Sequence, residues 1–503
     1  MIVYRQQRQR VATAQVLSRI LSASGFERRM ELGELEAGVA DVLCPEWDAD
    51  LPVLRALRRG EFGNLDLPRE IEISVPEGFA YYALDPELYR RAAARFAREV
   101  RPRRVAVIGI RSIGTTLSAV VADELKELGC AVESWTVRPR GDPWNRQLRV
   151  VDSLARRWRE WDGDFAVVDE GPGLSGSSFA CVAEFLASLG IPDQRIVLFP
   201  SWCPDGSGFV SESARRRWQL HRKFVTAFEE LGRFPDFRDL SGGGWRAVNG
   251  VSAAAHPQHE RRKYLRDGTL RKFAGYGRYG RAKLVRSQAL GRFVPRAAGL
   301  EDGYLSMPWI RGQVPRVTTA FLDHVAGYLG FVRANFATSD APSFDALAEM
   351  IAVNAPEAPP VECWRGAVLD GSAAVLDGRM LPHEWIETPE GFYKIDALDH
   401  GDDHFFPGPQ DIAWDVASFV LEFGLDPQAE ARLLEHYMNE SRDSGIRERL
   451  PFYRLAYLAF RLGYADMAAS SLRDSEDGPR FQRERARYAG LLRQEARSIG
   501  HAG

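Results

Sequence analysis

Residues 165–179 read FAVVDEGPGLSGSSF. An apolar run ends in two carboxylates, Asp169 and Glu170, and passes into a turn of glycine and serine. A strand ending there sets both acids at the carboxyl edge of a parallel sheet, where open α/β folds bind ligands. The turn opens a helix at Ser178. Backbone N–H groups and hydroxyls of Gly173, Ser175, Gly176, Ser177 and Ser178 can then surround a phosphate at the helix N-terminus. Carboxylates repel phosphate, so the ligand must offer the acids something else. Ribose 5-phosphate does: a phosphate for the turn and vicinal hydroxyls for Asp169 and Glu170.

A second acidic set occupies EGFYKIDALDHGDDHFFPGPQDIAWDVASF (390–419). A strand-like approach ends in Asp396, and Asp411 and Asp415 open an amphipathic helix. Upstream, VLDGRMLPHEWIETPEG (375–391) carries Asp377 after an apolar pair, and then His383. His383, His400 and His404 beside Asp396, Asp399, Asp402 and Asp403 could bind a transition metal. The competing reading, an acidic solvated loop flanking a Mg²⁺ site, is preferred.

The first stretch resembles the PRPP-binding motif of type I phosphoribosyltransferases: apolar strand, two acids, short loop, and a Thr/Ser-Gly-x-Thr/Ser cradle. VAVIGIRSIGTTLS (105–118) resembles that family's pyrophosphate loop, which implies PRPP contacts for Arg111 and Ser112. The Arg-rich SWTVRPRGDPWNRQLRV (134–150) stands where the family carries a mobile hood loop. The three elements keep the family's order over roughly 90–200. The acid loop is one residue longer than usual, and neither loop has an acid or Lys matching the base or acid of the purine enzymes. The resemblance implies Mg²⁺-dependent transfer of a phosphoribosyl group at C1, with Asp169 and Glu170 at the catalytic centre.

The second set resembles the C-lobe of aminoglycoside-phosphotransferase-like kinases. In that resemblance Asp396 is the Mg²⁺ ligand, Asp377 is the base that orients the acceptor hydroxyl, and the D-x-x-x-D helix packs beneath the catalytic loop. The family's His-Gly-Asp is Leu-Asp-Gly here. Its metal-side Asn is replaced by Pro382, with His383 one residue later as a second metal ligand. Upstream, DLSGGGWRAV (239–248) would place Gly242 and Gly243 over ATP phosphates. Lys272, in GTLRKFAGYG (268–277), fits the phosphate-pairing lysine. GRAKLVRSQALGRF (280–293) follows as a helix that has no Glu to pair with it. GYLSMPWIRGQVP (303–315) resembles the adenine hinge at Pro308, Trp309 and Ile310.

Positioning these residues takes alternating elements. Helices are expected at 11–22, 32–43, 86–100, 118–129 and 178–190, and strands at 70–75, 104–110, 130–137, 165–170 and 195–200. Strands alternating with helices predict a parallel sheet covered on both faces. A basic-then-amphipathic helix is expected over 214–232, and its ARRRWQLHRK start reads as a solvated or interdomain face rather than a nucleic-acid surface. Long helices are expected at 317–335, 344–354, 411–424, 427–441 and 450–497. The expected architecture is an α/β phosphoribosyltransferase-like domain over 1–215. An α+β two-lobed kinase-like domain follows over 216–503, with an N-lobe at about 235–305 and a C-lobe at about 315–503.

Composition agrees with a soluble globular chain of two or three domains: 503 residues, 45% apolar and 27% charged. A net charge of −3 makes no global case for nucleic acid. Five scattered cysteines without CxxC spacing exclude a zinc ribbon and suit a reducing cytoplasm. No stretch approaches the roughly 18 apolar residues of a membrane helix. The expectation is a cytoplasmic bifunctional transferase, able to form a homodimer, that uses PRPP and ATP with Mg²⁺. Its rival is a nucleotide- and PRPP-sensing binding protein without turnover.

Overall fold

The computed structural model describes residues 75–502 except 112, 174, 210, 340–342, 400 and 402–404. The helices expected at 11–22 and 32–43 lie outside the described residues, as does the 70–75 strand apart from Val75. Contacts divide the chain into two compact units, Met1–Phe79 with Leu84–Pro235 and Ala80–Ala83 with Asp236–Gly503.

The first unit begins with α1 (Pro86–Val100), capped by Asp85, whose carboxylate accepts the Glu87 N–H, with Pro86 in the first turn. There follow β1 (Arg104–Ile110), α2 (Gly114–Glu127), β2 (Ala131–Val137), α3 (Asp152–Arg159), β3 (Asp164–Val168), α4 (Ser177–Ser188), β4 (Ile196–Phe199), α5 (Glu212–Leu220) and β5 (Arg222–Lys223). The strands pair in parallel in the order β2-β1-β3-β4-β5. The central strands β1, β3 and β4 are continuous apolar runs because helices cover both faces. The order reverses between β1 and β3, and doubly wound sheets bind ligands at the carboxyl ends of such a switch point.

The basic helix expected over 214–232 stops at Leu220, and the chain enters β5 directly. The boundary expected near 215 therefore falls inside this unit, because α5 and β5 complete its sheet. Two cations of α5 are spent locally: Arg217 pairs with Asp193 at 2.7 Å and Arg215 donates to the Phe209 carbonyl.

The second unit opens with a sheet of β6 (Arg238–Asp239), β7 (Lys263–Arg266), β8 (Thr269–Phe273), β9 (Gly299–Glu301) and β10 (Tyr304–Pro308), ordered β6-β7-β8-β10-β9 and antiparallel throughout. Helix α6 (Arg278–Leu290) separates β8 from β9. A helical region follows: α7 (Thr319–Asn335), α8 (Phe344–Asn354), α9 (Ala413–Phe423), α10 (Pro427–Ser441), α11 (Ile446–Ser471) and α12 (Gly478–Ala502). The helix expected at 450–497 is thus two, broken where Gly478 restarts the chain against Arg473. Between α8 and α9 run the short ribbons β11 (Ala373–Ala374) with β14 (Gln410–Asp411), and β12 (Trp385–Thr388) with β13 (Gly391–Lys394). One aromatic-rich core, including Phe321, Trp385, Trp414 and Tyr457, joins these ribbons to the long helices. Among the described residues no helix is long and apolar enough to cross a membrane.

Candidate functional site

In the first unit β3 delivers Asp169 and Glu170 to the switch point. Tyr89 of α1 donates its hydroxyl to the Asp169 carbonyl at 2.6 Å, and the Asp169 carboxylate accepts the Glu170 N–H at 2.8 Å. The loop after β1 closes on the same place. A Cβ at Gly114 would stand 2.7 Å from the Val168 carbonyl and 3.1 Å from the Asp169 carboxylate, so only glycine lets α2 start there. Burial pushes the Asp169 carboxyl up to about 7, opposed by its hydrogen bond from Glu170 and by the charge of Arg146. Burial raises Glu170 too, with Glu77 and Asp169 as neighbouring negative charges.

Gly176 holds the position before α4 at a φ of 62°, against the Phe209 ring, and brings no side-chain cap. The Ser177 N–H reaches the Ser175 hydroxyl at 3.3 Å, and the N–H groups that follow it in the first turn have no side-chain cap. Ser175 and Ser177 share a hydroxyl contact of 2.9 Å, and Ser177 donates to the Pro143 carbonyl at 2.6 Å, which ties the 138–147 loop to the turn. Ser178 lies in the first turn of α4, and Gly173 is exposed beside it. Arg111 turns to β2 instead, donating to the Thr136 hydroxyl and carbonyl at 2.9 Å each. Ser112 lies outside the described residues. Sequence reasoning missed Arg146, whose signal was only its place in an Arg-rich loop.

In the second unit a cleft is lined by Lys272, by Met307, Pro308, Trp309 and Ile310 of the stretch expected as a hinge, and by Asp396. Lys272 and Asp396 lie 124 positions apart in the chain yet form an ion pair, and Asp399 pairs with the same ammonium at 2.6 Å. Burial alone would lower the Lys272 ammonium, but Asp396 and Asp399 outweigh it and hold it above its ordinary value. Arg261 stands 3.3 Å from Asp399, and Lys263 stands 3.8 Å from Asp396. Helix α6 has no acid for Lys272. Its Arg286 instead donates to the Val375 and Ala397 carbonyls at 2.7 and 3.1 Å, stitching the two acidic loops together.

Asp415 accepts the N–H groups of Asp377 and Gly378 at 3.0 and 2.9 Å, so α9 does clamp the loop above it. Burial lifts the Asp415 carboxyl to about 7, and the Asp377 charge adds to that. The Asp377 carboxylate points into this packing: it receives the Tyr328 hydroxyl at 3.1 Å, faces Lys394 at 3.0 Å and does not line the cleft. Glu384 does line it, held by Lys394 at 3.0 Å and Arg379 at 3.1 Å. His383 stacks flat on Trp245, with centroids 5.5 Å apart, and burial pushes its imidazole down to about 4.

The glycine turn makes no roof. Glu260 accepts the Gly243 N–H at 2.7 Å and the Trp245 indole N–H at 2.6 Å, and neither Gly242 nor Gly243 lines the cleft, whereas Trp245 does. Asp396 and Glu384 supply hard carboxylate oxygens of the kind Mg²⁺ takes, whereas a neutral, stacked His383 is a poor partner for it. His400, Asp402, Asp403 and His404 lie outside the described residues, and no metal-sized cluster of three or more His, Cys, Asp or Glu forms among the described ones. Sequence reasoning missed Glu384, although its place immediately before the WIET strand was a usable signal.

No family model matches the chain, and no curated protein does. Solved structures similar to it include a choline kinase from Streptococcus pneumoniae, at 16% identity and TM-score 0.30 over 50% of this chain and 99% of the other. A choline/ethanolamine kinase family protein from Mesorhizobium loti is similar at 14% identity and TM-score 0.32, over 53% and 96%. An ethanolamine kinase from Plasmodium vivax is similar at 9% identity and TM-score 0.33, over 65% and 97%. Similarities this slight assign no activity.

Proposed function

We propose that the second unit is an ATP- and Mg²⁺-dependent phosphotransferase acting on a small-molecule hydroxyl. The observation that carries this reading is the meeting of Lys272 and Asp396 across the cleft, beneath the hinge-like Met307–Ile310 segment. A buried ammonium beside a strand-end carboxylate is the pairing expected where nucleotide phosphates and their cation are held, with the phosphates replacing Asp396 as the partner of Lys272. Asp396 and Glu384 would hold the cation, which when bound would neutralise charge on the transferring phosphoryl group. The hinge would take the adenine. Lys272→Ala and Asp396→Asn should each abolish ATP binding measured by calorimetry. Retained binding in both variants would overturn the reading.

A second reading, nucleotide binding without turnover, is favoured by one observation. Asp377, the candidate base, is buried against Lys394 and Tyr328 away from the cleft. A base must come within hydrogen-bond reach of the hydroxyl it serves. Asp377→Asn separates the two readings: a fall of several orders of magnitude in ATP turnover at unchanged ATP affinity supports the phosphotransferase. Absence of turnover in the unaltered protein with every hydroxyl acceptor supplied supports the binding protein.

For the first unit the proposed ligand is PRPP or another ribose 5-phosphate ester. The phosphate would lie at the α4 N-terminus, and the ribose hydroxyls would lie against Asp169 and Glu170. Its support is the convergence of the β3 acids, the Gly114 approach and an uncapped α4 at one switch point. Phosphoribosyl transfer is the activity this geometry would serve, by holding reactants and stabilising charge rather than by a covalent nucleophile.

A further inference from the structure

The cleft of the second unit holds more cationic side chains than a nucleotide end needs. Lys272, Lys263 and Arg261 already face Asp396, Asp399 and Glu260. Arg379 and Arg461 line the same cleft with His256, His259, Tyr464 and Phe481. The Arg461 side chain is 5% exposed. Among the described residues its hydrogen bond runs from Nη2 to Glu484 at a long 3.3 Å, and its Nε finds no acceptor. Glu422, also nearby, is taken up by Arg487 at 2.6 Å and by the hydroxyls of Tyr457 and Tyr488. Arg379 is engaged by Glu384 and is repelled by the Arg461 charge. A smaller cavity walled by Phe405, Phe406 and Phe460 lies along the same two side chains.

Arg461 is out of water with one unmatched N–H and stands beside a second guanidinium, so an anion entering the cleft would complete its pairing. Arginine is also the side chain best suited to grip carboxylate or phosphate with two parallel donors. We infer that this end of the cleft binds the acceptor, and that the acceptor carries a carboxylate or phosphate group, recognised by Arg461 and Arg379, beside the hydroxyl to be phosphorylated. The inference rests on the reading of Lys272 and Asp396 as the nucleotide end.

Calorimetry on the full chain, with Mg²⁺ and a non-hydrolysable ATP analogue, tests it. The probes are inorganic phosphate, D-glycerate and glycerol 3-phosphate, set against glycerol and choline. At least one anionic probe should bind about tenfold or more tighter than glycerol, and Arg461→Gln should weaken it about ten- to a hundredfold while leaving the ATP analogue within about twofold. Arg461→Lys should recover part of the loss. If Arg461→Gln does not fold, Arg379→Gln, at a more exposed position, reads the same quantity. Preference for choline, no saturable binding of any anionic probe, or a loss that falls on the ATP analogue instead would each overturn the inference. Phosphate binding that survives while the ATP analogue fails to bind would sink the nucleotide reading and leave the anion site standing.

Discussion

At the scale of single residues, the two units set their carboxylates opposite tasks. Burial would raise the Asp399 carboxyl, but the charges of Lys272 and then Arg261 outweigh it and hold it down at about 2. Among the described residues Asp169 and Glu170 have no cation so close, and burial raises both. A carboxylate that must accept from ribose hydroxyls binds best ionised. PRPP affinity should therefore rise with pH through about 7, the Asp169 value, and Asp169→Asn should flatten that rise in calorimetry across pH 5.5–8.5. The stability sign is the reverse. A carboxyl raised from its unfolded value near 4 to about 7 contributes stability that is complete below the lower value and is lost as pH climbs through the higher one. The first unit without ligand should thus melt at higher temperature near pH 5 than near pH 8. Replacing Asp169 and Glu170 together by Ala should cost PRPP binding roughly 1.5–3 kcal/mol per charge-assisted hydrogen bond lost. Unchanged affinity would remove ribose from the site.

At the scale of elements, α9 determines the shape of the 377–384 loop from below. Asp415 is fully buried and takes two backbone N–H groups of that loop, while Ser418, one turn on, takes the Met380 N–H at 2.9 Å. Asp415→Ala leaves both donors buried without partners and should destabilise the second unit by about 2–5 kcal/mol, read by urea unfolding. Asp415→Asn keeps one acceptor and should cost less. A loss confined to activity with no change in stability would mean that the clamp is not structural. Helix α6 shows the same logic in another form. Where the family resemblance led one to expect an acid on that helix, Arg286 ties it to the loops of Val375 and Ala397. Arg286→Leu should loosen both loops at once, visible as faster amide exchange at 375–378 and 395–399.

At the scale of the whole molecule, the chain is two compact units with separate cores. Ligands that bind only the folded state stabilise in proportion to RT ln(1 + [L]/Kd). In differential scanning calorimetry PRPP should therefore raise one transition and Mg²⁺-ATP the other, each leaving its neighbour in place. A single transition shifted equally by both ligands would mean that the units unfold as one.

Much of this was legible in the chain itself. RVAVIGI could only be a buried strand, and the DEGPGLSGSS turn announced where two acids and a helix start meet at the carboxyl edge of the sheet, because period and turn chemistry are local properties. Lys272 and Asp396 were legible too, since each sits on a strand with its own signal. The ending of α5 was not: Arg-Lys at 222–223 has no strand pattern, and it joins the sheet only because β4 offers a free edge. Nor was the inward turn of Asp377. Its fate is decided by Lys394 and Tyr328, which reach it from β13 and α7. The Arg379–Arg461 pair, the Glu260 hold on Gly243 and the Gly114 approach are likewise contacts between distant segments. Local sequence determines which elements form. Which charges meet, and which are left needing a ligand, depends on packing that brings together residues far apart in the chain, and only the tertiary structure decides it.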